Sequence, residues 1–490
     1  MSKLNGQGKE GSMMCPDGLM RGKGRRGEGA DRRPRKTPAW AIAVSALGLL
    51  SFAALLLGQT ATDPGVRPGK MAGNFISGLT TNQAAVEGTT TGIFIEINQV
   101  TNTTGKQSDL VGLGPGFDSN SCSSCHAQPA IGGSSPATNP LTTGSPPIYQ
   151  IDGATNTLPS FETPTGPVVV ARFPFKADGV TPDGTVHQLF SVQGRSDAPG
   201  CTLAQPPFST MTTINRQTLP VFGDGLIEII QDSDILANMN ANLSQKLLLG
   251  ISGHPNRAAD GSINRFGWKA QTRSLVIFGG EAYNIEEGVS NEMFPNEIND
   301  INSTGCILNP VPEDHTNYAL TKLPPHRFPG DPEEQAVFMR FLAPPTVGGC
   351  PGGVGGGCPN GQTQFNNVGC VLCHTTSFTT PSSAIGALSN LTANLFSDLL
   401  VHDMGPCNAD NVTQGTATGD QFRTPPLWGA GQRVFFMSDG RTTNIVTAVE
   451  DHFCLGNSQY PNSEANAVIN NFNALDATDQ QDLINFLRQL

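Results

Sequence analysis

Hydrophobic residues recur at three- and four-residue intervals in several stretches of the chain, and each such stretch predicts a helix. Residues 225–230 make a short helical run, and in 233–249 the recurring positions are Ile235, Leu236, Met239, Leu243 and Leu247. Residues 331–342 carry Ala336, Val337, Met339, Phe341 and Leu342, and stop before Pro344-Pro345, as a helix must. The clearest amphipathic helix is 474–490, with Leu475, Leu483, Ile484, Phe486, Leu487 and Leu490 on one face. Strand-like signals are short: residues 168–173 lie between glycine and proline punctuation, and 92–97 is one alternating apolar run. One stretch differs from all of these. Residues 39–58 are an almost unbroken apolar run, preceded by a basic region ending in Asp31-Arg32-Arg33-Pro34-Arg35-Lys36.

That order, positive charge and then an apolar core of bilayer length, directs the rest of the chain out of the cytoplasm. An uncleaved anchor and a cleaved signal peptide both remain open, and both give the same location, periplasmic or otherwise extracytoplasmic. Composition adds that the fold is loop-rich: 57 Gly and 37 Pro stand against only 14% charged residues. A net charge of −12 argues against a nucleic-acid partner. With 490 residues there is room for two or three domains.

Chemistry is concentrated in two pentapeptides, Cys122-Ser123-Ser124-Cys125-His126 and Cys370-Val371-Leu372-Cys373-His374. Both read C-x-x-C-H, in which two thiols attach a c-type haem and the adjacent histidine becomes the proximal iron ligand. A zinc half-site would need a second cysteine pair at knuckle spacing, and neither half of the chain has one. A thioredoxin-like dithiol would follow a strand, whereas Ser121 and Gly369 end polar, loop-like stretches. Two covalently bound c-type haems are therefore expected. The irregular loop 129–136 is expected over one haem face, and the helix 474–490 is of the kind that closes a cytochrome c domain. Besides Cys15 and the four haem thiols, the chain has Cys201, Cys306, Cys350, Cys358, Cys407 and Cys454. An even remainder fits disulfides in an oxidising compartment. Cys350 and Cys358 flank a glycine-rich loop that can close on itself, and that pair is expected to bond.

Several further motifs resemble the thiol-oxidoreductase-like di-haem oxidoreductases. They are Gly114-Pro115-Gly116-Phe117, residues 265–270 around Trp268, residues 282–292 around Glu286, Leu400-Val401-His402-Asp403-Met404-Gly405-Pro406, residues 422–429, and Met437-Ser438-Asp439-Gly440-Arg441. That family is similar in turn to the bacterial di-haem cytochrome c peroxidases and to the methylamine-utilisation di-haem enzyme. The resemblance covers about residues 110–490. It implies a mainly α fold with loop-rich and short β insertions, in two cytochrome c-type haem domains. The boundaries expected are 1–61 for the basic region and apolar segment, 62–343 for the first haem domain with its insertions, and 344–490 for the second.

The same resemblance implies roles. Trp268 matches the tryptophan that lies between the haems of the relatives, and Glu286 matches their proton-moving glutamate, with Glu287 as the fallback. Counting from Asp439 makes His452 the distal ligand of the second haem, with Met437, His402 and Met404 as rivals. No histidine or methionine follows His126 until His187, whereas the peroxidases carry a distal histidine soon after their first motif, so the first haem is either open, the reading favoured, or closed by a distant residue. His187, His254, His315 and His326 are expected to be loop or surface residues, and Arg423 and Arg433 to pair with haem propionates. The activity implied is a peroxidase-type oxidoreductase. Electrons from an external donor such as a small cytochrome enter at the C-terminal haem, and hydrogen peroxide is reduced at the N-terminal one. The alternatives are a non-enzymatic electron carrier, in which both irons are six-coordinate, and dioxygen chemistry of the kind carried out by the similar rubber oxygenases.

Overall fold

A computed structural model describes residues 61–68, 72–100, 111–114, 116–143, 161–172, 188–189, 192–194, 214–295, 330–353 and 358–490. The apolar run 39–58, Cys15, Cys201, Cys306, His187, His315 and His326 lie outside them. Among the described residues no helix is long and apolar enough to cross a membrane. Residues Gln59–Leu490 form one compact unit.

The helices, in chain order, are α1 (Glu87–Ile95), α2 (Asp224–Ile229), α3 (Asp232–Asn240), α4 (Leu243–Leu249), α5 (Leu275–Ala282), α6 (Asp331–Phe341), α7 (Pro359–Val368), α8 (Ile445–Glu450), α9 (Asn466–Asn473) and α10 (Ala477–Gln489). The periodic stretches of the sequence thus become helices. The stretch 233–249 is broken where Asn242 takes a left-handed φ of 54°, and it ends at Gly250 with φ 77°. Local chemistry fixes other ends. α6 begins with Pro332 and three acids in its first turn and has Arg340 in its last, both favourable to the helix dipole. α10 is capped by Asp476, whose carboxylate accepts from Thr478 N at 3.0 Å and Asp479 N at 2.9 Å.

The alternating run 92–97 is helical as far as Ile95. Its neighbours Ile93 and Phe94 are both buried while Ile95 is exposed, so the face packed against α6 decides the structure, not the period of two.

Sheets are small. The strand Val169–Arg172, expected from the sequence, pairs antiparallel with Gln188–Leu189 on one side and Ile214–Gln217 on the other. Val401–Asp403 pairs antiparallel with Gln421–Arg423.

Two apolar cores organise these elements. In the first, α1 packs along α6, with the Phe94 and Phe338 rings stacked at 4.4 Å, and Leu226, Ile227 and Leu275 fill the space beside them. In the second, α7 packs along α10. Phe365 meets Phe486 edge to face at 5.4 Å, and Gly361 lets the helices approach so closely that a Cβ there would lie 2.0 Å from Asp482 O. Each C-x-x-C-H motif therefore follows a helix, α1 or α7, that is pressed against a later helix, α6 or α10. Cys122 lies against the first core, and Cys370 and Cys373 against the second.

Cys350 bonds to Cys358 as its spacing predicts, and a second disulfide joins Cys407 to Cys454. Residues 61–68 are tied to α10 by Arg488, whose buried guanidinium donates to both oxygens of Asp63 at 2.8 and 2.7 Å.

Phe365 is 1% exposed at the junction of α7, α10 and the second motif. Its replacement by alanine is expected to lower the unfolding free energy by about 3–5 kcal/mol, read from denaturant unfolding. A loss below about 1 kcal/mol would show that this helix pair does not carry the second core.

Candidate functional site

The first motif forms a single helical turn, Cys122–Cys125, reached through the short strand Gly116–Phe117. His126 ends the turn and its Nδ1 donates to Gly133 O at 3.1 Å. The carbonyl fixes the tautomer, because it can only accept, and this leaves Nε2 with its lone pair. Loop 127–134 exists to bring that carbonyl back: Gly132 N donates to His126 O at 2.9 Å, and Ser134 N to Gln128 O at 2.7 Å. Burial pushes His126 down to about 4, against the pull of the Gly133 and Leu219 carbonyls, so the imidazole is neutral at pH 7.

Across the cavity stands a π-helical turn, Tyr283–Glu287, continuing α5. It is held against the approach to the motif by backbone contact. Gly114 N donates to Glu287 O at 3.0 Å and Asp118 N to Glu286 O at 2.7 Å. Gly114 and Gly288 touch so closely that a Cβ on Gly114 would lie 2.6 Å from Gly288 Cα, and Gly288 itself has φ 69°. Any side chain at either position would separate Glu286 and Glu287 from Cys122. Glu287 is buried, takes a hydrogen bond from Asn98, and lies 3.5 Å from Cys122 Sγ. Glu286 is half-buried and lines the cavity beside it. The cavity holds about 180 Å³ and is also lined by Asp118, Arg216, Gln271, Phe278 and Met339.

The second motif repeats the plan. Cys370–Leu372 forms a 3-10 turn after Gly369, and His374 Nδ1 donates to Phe396 O at 3.0 Å. Burial brings His374 down to about 4. Its cavity, about 200 Å³, is also lined by His452, Met404 and Met437. His452 follows α8 and donates from Nδ1 to Ala448 O at 2.7 Å, and burial lowers its pKa too. His374 and His452 are thus neutral, each with its Nε2 lone pair left for a metal. The Cys407–Cys454 disulfide closes the chain two residues beyond His452. His402 differs from its expected rivalry for the iron. Its Nδ1 lies 2.7 Å from Glu464 Oε2 and its Nε2 3.0 Å from Asp398 Oδ2, so neither nitrogen is available.

Trp268 lines both cavities. Its indole N–H donates to Gln217 O at 2.8 Å, and its own carbonyl accepts from Arg423 N at 2.8 Å. The ring is therefore held by the strand Ile214–Gln217 and the backbone of Trp268 by the strand Gln421–Arg423. Arg423 and Arg433 are buried in the second cavity and also line a small adjoining pocket with Asp224. Burial pushes both guanidinium groups down to about 10, Asp224 drawing Arg423 back upwards and Arg423 adding to the depression of Arg433.

Of the residues singled out from the sequence, the structure brings Cys122, Cys125, His126, Glu286 and Trp268 to one cavity and Cys370, Cys373, His374, His452 and Trp268 to the other. His254 lines neither; its Nε2 lies 3.2 Å from Gln421 Oε1. Arg216, Asp118 and the acids around His402 were not found from the sequence, because they are scattered polar residues that no spacing connects.

The donor set fits haem. Cys122, Cys125, Cys370 and Cys373 are free thiols, whereas the other described cysteines pair into disulfides. Each pair stands beside a neutral, oriented imidazole at an apolar cavity.

Residues 209–490 match the family model described as di-haem oxidoreductase, putative peroxidase. A MauG-like protein associated with microbial copper homeostasis aligns over 55% of this chain and 89% of its own, with 13% identity and a TM-score of 0.28. Hydrazine synthase of Kuenenia stuttgartiensis aligns over 33% of this chain with 18% identity and a TM-score of 0.20, and the chain spans about half of it, 55%. Superpositions this loose carry no argument. No curated protein matches the chain.

Burial raises Glu287 from 4.5 to about 7, over the lowering effect of its bonds to Asn98 and Cys122. The protonated carboxyl thus favours the fold fully below pH 4.5, and that contribution is lost as the pH rises through 7. Glu287→Gln cannot ionise, and is expected to flatten the fall of unfolding free energy between about pH 5 and 8. Equal slopes for the two proteins, measured by denaturant unfolding across that range, would contradict the assignment.

Proposed function

Because the chain belongs to the di-haem oxidoreductase family, we propose that it is an exported peroxidase-type enzyme with one covalent c-type haem at Cys122, Cys125 and His126 and another at Cys370, Cys373 and His374. The observation that carries this reading is the pair of similar cavities, each opening on one C-x-x-C-H motif, with Trp268 in the wall of both. When bound, the two haems supply one-electron redox chemistry and, at the first motif, an iron position open to hydrogen peroxide, with electrons entering at the second.

Each remaining role falls to a residue of the chain. His452 would hold the C-terminal haem through its Nε2, and its Nδ1 anchor to Ala448 O keeps the ring oriented. Among the described residues, no second histidine lines the cavity of the first site. Glu286 stands there half-buried and moves a proton from one peroxide oxygen to the other as the bond breaks. The sum is one peroxide, two electrons and two protons giving two waters. Trp268 borders both cavities, and its indole is oxidisable. Arg423 and Arg433, in the wall of the second cavity, would hold the propionates of a haem bound there.

Export is supported by the basic head before the apolar run 39–58 and by the two disulfides, which suit an oxidising compartment. An uncleaved run would also anchor the enzyme in the membrane. The donor is then a small external cytochrome.

The test uses the full-length reduced protein. Carbon monoxide is expected to bind one haem of the two, and peroxide is expected to be consumed with a reduced small cytochrome c. Glu286→Gln is expected to slow that turnover by about 10²–10⁴-fold with haem content and carbon monoxide binding unchanged. No carbon monoxide binding would make the protein an electron carrier. Carbon monoxide binding without peroxide consumption would point to dioxygen chemistry.

A further inference from the structure

His402 is held in a way that the reaction as proposed does not use. It sits on the strand Val401–Asp403, 4% exposed, with one carboxylate at each ring nitrogen: Glu464 Oε2 at 2.7 Å from Nδ1 and Asp398 Oδ2 at 3.0 Å from Nε2. Asp398 is 1% exposed and Glu464 7%. Each of the two short gaps needs one proton. Whether those protons sit on the imidazole or on an acid, three groups sharing two protons carry a net charge of −1.

Among the described residues, no ion pair to a lysine or arginine cancels that charge. Glu464 otherwise accepts neutral donors, Ser252 N at 2.8 Å, Ser252 Oγ at 3.0 Å and Asp403 N at 3.3 Å, and Asp398 accepts from Leu400 N at 3.1 Å. The cations that line the same cavity are Arg423 and Arg433, and the other acid on the strand, Asp403, takes its own hydrogen bond from Gln421 at 2.7 Å.

The group also lies against the second haem motif. The His402 ring nitrogen is 3.8 Å from Cys373 Sγ, and Asp398 N donates to Cys373 O at 2.9 Å. His402 and Glu464 both line the second cavity.

We propose that Asp398, His402 and Glu464 form a fixed buried negative charge at the Cys373 side of the second haem, which lowers the reduction potential of that haem. The proposal rests on a haem being attached at Cys370 and Cys373. A charge of −1 in a low-dielectric wall favours the ferric over the ferrous iron, because the ferric form carries one more positive charge. The low potential makes the second haem a ready electron donor towards the first cavity. These three residues act on the iron through space, as positioning and tuning groups, and do not touch the peroxide.

The test is a spectroelectrochemical titration of the full-length holoprotein, following the two haems separately. Glu464→Gln and Asp398→Asn keep shape and remove one charge, and each is expected to shift the midpoint potential of the second haem upwards while the first haem stays where it is. Ser252→Ala, which loosens Glu464 without changing charge, is expected to leave both potentials in place. If one carboxamide variant fails to mature, the other carries the test. Unchanged or lowered potentials in the variants that retain both haems overturn the proposal and leave the two-haem reading intact. A Cys370–Cys373 peptide without haem mass in the wild type removes that reading, and the proposal with it.

Discussion

The chemistry of the Gln59–Leu490 unit depends on how three half-buried imidazoles are held. His126, His374 and His452 each give their Nδ1 proton to a backbone carbonyl, Gly133, Phe396 and Ala448. Desolvation removes the charged form, and the carbonyl removes the wrong tautomer. What is left is a neutral ring with one lone pair and one direction. A metal ligand needs both, and neither would survive if the loops that return these carbonyls were free to move. The cores are therefore the support of the site: α1 on α6 beneath the first motif, α7 on α10 beneath the second.

His402 shows the opposite use of the same side chain. It is more deeply buried than the others, and it faces carboxylates instead of carbonyls. Burial alone would lower its pKa, and the Cys373 sulfur and Asp398 raise it well above the ordinary value. A thioether at Cys373 would withdraw its share of that effect, and the two carboxylates would remain. One cavity thus contains two neutral imidazoles and one held in an acid bracket, distinguished only by what each nitrogen meets. A similar contrast separates Glu286 from Glu287, adjacent on the π-helical turn: the first lines the cavity half-buried, and the second is buried against Asn98 and Cys122.

The parts legible in the sequence were those with a local signature. The C-x-x-C-H pentapeptides, the amphipathic face of α10, the helix ending before Pro344 and the Cys350–Cys358 bond all follow from residues within a short span. The run 92–97 misled by its alternation, because the burial of Ile93 and Phe94 is imposed by α6, far away in the chain. The bracket around His402 was illegible for the same reason. Asp398 lies four residues before it, but Glu464 arrives from 62 residues beyond. Trp268 could be matched by resemblance, but that it borders both cavities depends on Gln217 and Arg423, which come from two different sheets.

Two covalent haems in these two cavities would have unequal access at the iron, one closed by His452 and one left open. Electron paramagnetic resonance of the oxidised full-length protein addresses it directly. The account predicts one low-spin ferric signal from the His374 and His452 site and one high-spin signal from the His126 site, in equal amounts. Two low-spin signals, or spin intensity amounting to a single haem, would contradict it.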